Sequence, residues 1–200
     1  MGFTREELES YRDEEVPDLV GPGLKLLFVG INPGLWTAAT RTHFAHPGNR
    51  FYPALHLGGV IDRQIDRGSG MTDEDRQYLI ERGIGITNVV RRATAKASEL
   101  TAAELRAGGE ELRCFVREHR PVVVAVAGVT AYRIAFREPK AQMGRQDEPF
   151  EGAELWIVPN PSGLNAHETV ESLAAAYRAP ADAAGVAAGA STAGEFTAGR

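Results

Sequence analysis

Leu26-Leu27-Phe28-Val29-Gly30-Ile31-Asn32-Pro33-Gly34-Leu35 opens as an unbroken apolar run and breaks at Gly30. A short apolar run bounded by turn residues reads as a strand buried on both faces, as in a parallel sheet. The loop beyond it is crowded with glycine, proline, asparagine and histidine, and continues to His43-Phe44-Ala45-His46-Pro47-Gly48-Asn49-Arg50-Phe51. In open α/β sheets, ligand sites lie in loops at the carboxyl ends of the strands. The stretch therefore predicts a central strand and a site directly after it.

The same alternation repeats along the chain. Asn49–Leu57 has the apolar spacing of a core-facing helix and ends near Gly58-Gly59. Residues 60–71 read as irregular. Thr72 or Asp73 caps a helix running to about Arg82, which Gly83 stops. Ile84–Val90 is a strand, and Arg91-Arg92-Ala93-Thr94-Ala95-Lys96 a basic loop. Thr101 with Glu104 forms a capping box opening a helix to about His119. Gly108-Gly109 inside it implies close backbone packing or a kink, because each glycine costs a helix roughly 1 kcal/mol against alanine. Val122–Ala127 is the clearest buried strand, followed by a helix over Val129–Phe136 and a charged excursion over 138–153. Leu155–Val158 is a further strand, Pro159–Asn165 a second rigid loop, and Glu168–Arg178 a helix.

Such alternation predicts an α/β fold, a small and mostly parallel sheet between two helical layers. The loops 30–35 and 159–165 both follow buried strands, so they face each other across one sheet edge. Three segments result: an acidic extension over 1–21 with a helix over 4–15, a domain over 22–178, and an Ala/Gly-rich tail over 179–200 left outside the fold.

Composition narrows the function. Hydrophobic residues make up 43% of 200, enough for one core. No apolar run approaches the roughly 18 residues of a membrane span, and the acidic start lacks a signal-peptide pattern, so a cytoplasmic protein is expected. The single cysteine, Cys114, is expected to be a small buried hydrophobe and excludes an intrachain disulfide. The formal charge is −5. Of 22 basic and 27 acidic side chains, residues 1–18 hold two and seven, leaving the remainder balanced at 20 each. A neutral body is compatible with a local basic face, so net charge does not decide for or against DNA.

The Gly30 loop lacks the Lys-Ser/Thr pair of a P-loop and the spacing of a dinucleotide fingerprint, which leaves a turn or a different ligand loop. The neutral Asn32 amide can hold a water or a ligand by directed hydrogen bonds. His43 and His46 have no third ligand at metal spacing, so no metal is expected. Phe44 is either core or a stacking platform for a planar ring. Arg91, Arg92 and Lys96 are either a solvated loop or a phosphate clamp.

Three motifs, Gly30-Ile31-Asn32-Pro33-Gly34-Leu35, Phe44–Phe51 and Asn160-Pro161-Ser162-Gly163-Leu164, closely resemble the mismatch-specific uracil/thymine-DNA glycosylases of the uracil-DNA glycosylase superfamily. The resemblance extends through Gly85–Asn88, Leu105–Gly109 and Leu155–Pro159 and covers about residues 22–178. It implies a uracil-DNA glycosylase-like α/β/α sandwich that works as a monomer on nucleoid DNA. The implied activity flips uracil or ethenocytosine from opposite guanine in double-stranded DNA and cleaves its bond to deoxyribose. It is monofunctional, leaves an abasic site, and needs no cofactor or metal. Asn32 matches the catalytic asparagine that positions water. Gly30, Ile31 and Phe44 match the base pocket, and Asn88 matches a base-contacting asparagine of the thymine-DNA glycosylase branch. Thr37 falls at a variable pocket position, where its bulk would limit the 5-methyl group of thymine. Gly163-Leu164-Asn165 match the wedge that fills the vacated stack and reads the orphaned guanine. Ser162, Arg91, Arg92 and Lys96 are the phosphate-contact candidates.

Overall fold

The computed structural model describes residues 2–187. Five strands form one sheet: β1 Leu26–Gly30, β2 Ile84–Asn88, β3 Val123–Ala127, β4 Gly144–Arg145 and β5 Glu154–Val158. Their spatial order is β2-β1-β3-β5-β4, parallel except for the β4 edge, which runs antiparallel to β5. The chain lays β2 on one side of β1 and β3 on the other. That reversal creates a crevice beyond the strand ends, where open α/β sheets bind ligands.

The helices are α1 Arg5–Glu9, α2 Leu35–Thr40, α3 Phe51–Leu57, α4 Asp73–Glu81, α5 Ala102–His119, α6 Val129–Phe136 and α7 Val170–Ala183. Side chains alternate across a strand. Leu26 and Phe28 therefore join one core with Phe51, Leu55, Leu173 and Tyr177 of α3 and α7. Leu27 and Val29 join the other core with Leu105, Leu112 and Val116 of α5 and Tyr132 of α6. This is the expected three-layer sandwich.

Gly108-Gly109 resolves as close packing. A Cβ on Gly108 would overlap the Val89 carbonyl, and one on Gly109 would lie 3.0 Å from the Ala135 carbonyl. Both obstacles are backbone and cannot swing aside. Gly108→Ala is expected to destabilise the fold by about 1–3 kcal/mol through overpacking, despite a helix-propensity gain of about 1 kcal/mol. Urea unfolding of the variant checks this.

Several sequence expectations change. The first helix spans Arg5–Glu9 rather than 4–15. Part of the long loop expected after β1 is helical: α2 starts at Leu35, with Gly34 in extended backbone at its N-cap. The excursion over 138–153 supplies the short β4 edge. Cys114 is exposed rather than buried. The boundary at 178 does not hold. Helix α7 continues to Ala183, and Ala181, Ala184 and Val186 lie in the first core. Alanines that look like low complexity are small enough for close helix packing here. Arg82 also donates 2.9 Å hydrogen bonds to the Val60 and Val186 carbonyls. The rest of the expected tail, 188–200, lies outside the described residues. The boundary at 21 fails as well: Val16 and Leu19 are buried, and Leu19 exchanges backbone hydrogen bonds with Ile86.

Candidate functional site

The parallel register of β1 and β2 sets Gly30 directly beside Asn88. Only a glycine leaves this junction open, since a Cβ there would collide with Asn88 Oδ1 and approach the Phe44 ring at 3.3 Å. Phe44 has φ of +55°, a left-handed backbone for a bulky residue. Such a conformation costs about 1–2 kcal/mol and is retained only where surroundings enforce it. Two hydrogen bonds help: the Tyr52 hydroxyl donates to the His43 carbonyl at 3.0 Å, and Asn49 N–H to the His46 carbonyl at 2.8 Å. The ring stacks on Phe51 with centroids 4.2 Å apart and planes 28° apart. Gly30, Phe44 and Asn88 thus converge, with Ile31 packed beside Gly128 at the neighbouring strand end.

Asn32 has a constrained amide. Its Nδ2 donates to the Pro33 carbonyl at 2.9 Å, the Thr94 hydroxyl at 2.8 Å and the Arg92 carbonyl at 3.2 Å. Thr94 in turn donates to the Lys96 carbonyl at 2.9 Å. The amide nitrogen is therefore fully engaged, and Oδ1 has no hydrogen-bond donor among the described residues. An oriented amide oxygen of this kind can accept a hydrogen bond from a water and aim its lone pair.

His43 is buried and fixes the second amide. A carbonyl can only accept, so the 3.0 Å contact with Pro17 O assigns the proton to Nε2. In the neutral ring Nδ1 is then an acceptor, and it receives Asn88 Nδ2–H at 3.2 Å. That leaves Asn88 Oδ1 at the Gly30 junction. Burial pushes the imidazole pKa down, and Arg76 adds to this, while the Pro17 hydrogen bond and Asp18 oppose it. The unfolded chain therefore takes up a proton near pH 6.5 that the folded chain refuses. The stability is present above that pH and is lost as pH falls, by up to about 1.4 kcal/mol per pH unit. Urea unfolding between pH 7 and 5 is expected to show this slope in the wild type and a flatter one in His43→Gln.

The second loop meets the first at backbone distance. A Cβ on Gly163 would lie 2.7 Å from the Gly48 carbonyl. Arg50 ties the loops together: its guanidinium donates to the carbonyls of Ser162 at 2.5 Å, Asn165 at 2.8 Å and Glu168, and its N–H to Pro161 at 3.0 Å. Leu164, on this braced loop, is 88% exposed, an unusual position for a large apolar side chain. Asn165 Nδ2 donates inward to the Asn160 carbonyl at 3.1 Å, and the Ser162 hydroxyl accepts Leu164 N–H at 3.3 Å.

Other expected site residues fall elsewhere. Thr37 is buried in α2. Arg91 and Arg92 do not form a free phosphate clamp. Arg91 pairs with Asp18 at 2.7 Å, while Arg92 pairs with Asp13 at 2.8 Å and Glu104 at 2.6 Å. The aspartates come from the acidic N-terminal extension. Lys96 remains exposed at the loop end. Sequence reasoning missed Thr94, Arg50 and the Pro17–His43 pair. Arg50 sits within a quoted motif and could have been found there; the others carry no local signal. No cluster of three or more metal-ligating side chains occurs among the described residues, and none of their helices is long and apolar enough to cross a membrane.

An oriented amide and a phenylalanine in left-handed backbone thus stand beyond the carboxyl end of the first strand of a sheet ordered 2-1-3 about it. The sequence model of the uracil DNA glycosylase superfamily matches residues 17–181, and the chain belongs to that superfamily. The membership assigns it to the DNA glycosylases, hydrolases of DNA repair that act on uracil. The matched span includes Pro17 and Leu19, in keeping with their place in the fold. A solution NMR structure of a candidate uracil DNA glycosylase from Methanosarcina acetivorans is similar, with a TM-score of 0.56 at 18% identity. It covers 84% of this chain and 97% of that one, a likeness of fold.

Proposed function

We propose that this protein is a monofunctional, mismatch-directed uracil-DNA glycosylase. It rotates uracil out of G·U pairs in double-stranded DNA and hydrolyses the N-glycosidic bond, leaving an abasic site. The observation that carries the reading is the Asn32 amide. Its nitrogen is engaged by three acceptors, and its oxygen, which accepts no hydrogen bond among the described residues, is free for a water two residues beyond Gly30.

An amide is too weak a base to take a proton from water in the ground state. Its contribution is orientation, holding the water's oxygen toward C1′ as the glycosidic bond lengthens. The departing base carries negative charge, which backbone N–H groups at the strand ends can stabilise. Phe44 stacks on the extruded ring. Asn88 Oδ1 accepts the imide N–H of uracil, a proton that cytosine lacks at that position. Ethenocytosine lacks it too and is a weaker substrate held by stacking. Leu164 enters the vacated stack, an apolar wedge of the kind that kinks duplexes. Flipping costs a few kcal/mol and least at a mispair, which favours G·U over A·U. The protein acts as a monomer and without a cofactor.

A labelled duplex containing one G·U pair, incubated with the protein and treated with alkali, is expected to break at the uracil. A·U, G·T and G·ethenocytosine duplexes rank the substrates. Absence of cleavage at stoichiometric protein overturns the proposal.

A further inference from the structure

The 91–96 loop supplies two of the three acceptors that orient Asn32, the Arg92 carbonyl and the Thr94 hydroxyl. What holds this loop is the N-terminal strap. Ala93 N–H donates to the Glu14 carbonyl at 2.9 Å, and Asp13 N–H to the Ala93 carbonyl at 3.0 Å. Ala93 is fully buried with Val16, Leu35 and Ala38, and Leu8 and Tyr11 pack against that cluster. The Arg92 side chain closes the arrangement between two elements: Nη1 to Asp13 of the strap, Nε to Glu104 in the first turn of α5.

From this geometry we infer that Arg92 is a positioning residue, clamped by Asp13 and Glu104 so that its own carbonyl and the adjacent Thr94 hydroxyl lock the Asn32 amide. The inference rests on the glycosylase reading for its consequence in catalysis. It makes the acidic N-terminal strap part of the working site. A carbonyl at 3.2 Å and a hydroxyl at 2.8 Å orient the amide only while their loop stays in register. Backbone hydrogen bonds to the strap set that register, and the ion pairs tie it to α5. Glu104 suits the task because Thr101 also donates to its carboxylate, at 2.8 and 2.9 Å from backbone and hydroxyl. With Arg92, these hydrogen bonds hold its pKa at about 2, so Glu104 stays ionised at neutral pH.

A phosphate contact and a positioning clamp predict different results for Arg92→Met. As a clamp, loss of Arg92 lowers the single-turnover rate of base release about tenfold, leaving affinity for an abasic duplex and its salt dependence unchanged. As a phosphate contact, Arg92 would instead affect binding, and its loss would flatten the log–log salt dependence by about 0.9; that outcome overturns the inference. In an Asn32→Ala background Arg92→Met is expected to have no further effect on rate, because both act through one amide. A general folding defect would persist there. Glu104→Gln, which preserves the helix capping box, is expected to lower the rate about threefold, and Arg92→Lys to restore part of the Arg92→Met loss. A second readout does not depend on activity. The side-chain amide NMR signals of Asn32, assigned by their absence in Asn32→Ala, are expected to shift and to exchange faster with solvent in both Arg92→Met and Glu104→Gln. Unchanged signals overturn the inference. If the wild type releases no base, the glycosylase reading fails, while the NMR comparison still decides the clamp.

Discussion

Asn32→Asp is expected to slow base release by about 10- to 100-fold, although aspartate is the stronger base. The reason lies in what surrounds the amide nitrogen. Two of its three acceptors are backbone carbonyls, at 2.9 and 3.2 Å, which cannot become donors. Thr94 already directs its own proton to the Lys96 carbonyl. A carboxylate oxygen placed there faces two carbonyl oxygens. Losing such hydrogen bonds and leaving a charged group unsatisfied costs about 1.5–3 kcal/mol or more, which corresponds to the rate loss given. The side chain must rotate away, and the water loses its anchor. Asn32→Ala removes the anchor outright, with an expected loss of about 100- to 1,000-fold, the range seen when a single transition-state hydrogen bond is deleted. Single-turnover rates on a G·U duplex measure both. An aspartate variant faster than the wild type would show that the amide orientation described here is not the one used in catalysis.

The other large effect is expected at Arg50. Arg50→Met retains the aliphatic stem and loses the guanidinium hydrogen bonds to three carbonyls of the 162–168 loop. That loop presents Leu164 to solvent, and an exposed apolar wedge is effective only if it is held stiffly before it meets DNA. Base release from duplex is expected to fall about 10- to 100-fold, since the unstacking that the wedge offsets costs a few kcal/mol per step. Leu164→Ala should reproduce the loss. The two sites differ in what is lost. With 2-aminopurine beside the target uracil, Arg50→Met and Leu164→Ala are expected to abolish the fluorescence rise of base extrusion, and Asn32→Ala to leave it intact. Retained fluorescence in Arg50→Met would separate Arg50 from the wedge.

Local pattern carried most of the architecture. The runs at 26–29 and 123–127 are strands that are apolar throughout because both sheet faces are covered, and the segment at 84–88 is a buried strand whose polar Thr87 and Asn88 stand at its carboxyl end. Backbone pairing does continue past β2: Val89 and Val90 N–H donate to the Gly30 and Ile31 carbonyls at 2.9 Å. The capping box at Thr101 and Glu104 opens α5 where expected. Composition misled at both ends. Acidic residues over 1–18 suggested a solvated appendage, and alanine-rich sequence after 178 suggested a loose tail. In each case the partners that bury or neutralise the segment lie far along the chain.

The motif after β1 was likewise visible at once, because a turn, a strand end and the side chain it presents are local properties of ten residues. From the sequence alone came the α/β alternation, the family resemblance and the candidate residues Asn32, Phe44 and Leu164. How those residues are held was a matter for the tertiary structure. The acceptors on the 91–96 loop that orient Asn32 stand 60 and 62 residues away. The carbonyl that sets the His43 tautomer, and through it Asn88, lies 26 residues before the histidine. Whether Arg91 and Arg92 are free for DNA depends on Asp18 and Asp13, 73 and 79 residues distant. A hydrogen bond is directional and short-ranged, so its partner is defined only once the sheet and its crossovers have brought distant segments within about 3 Å.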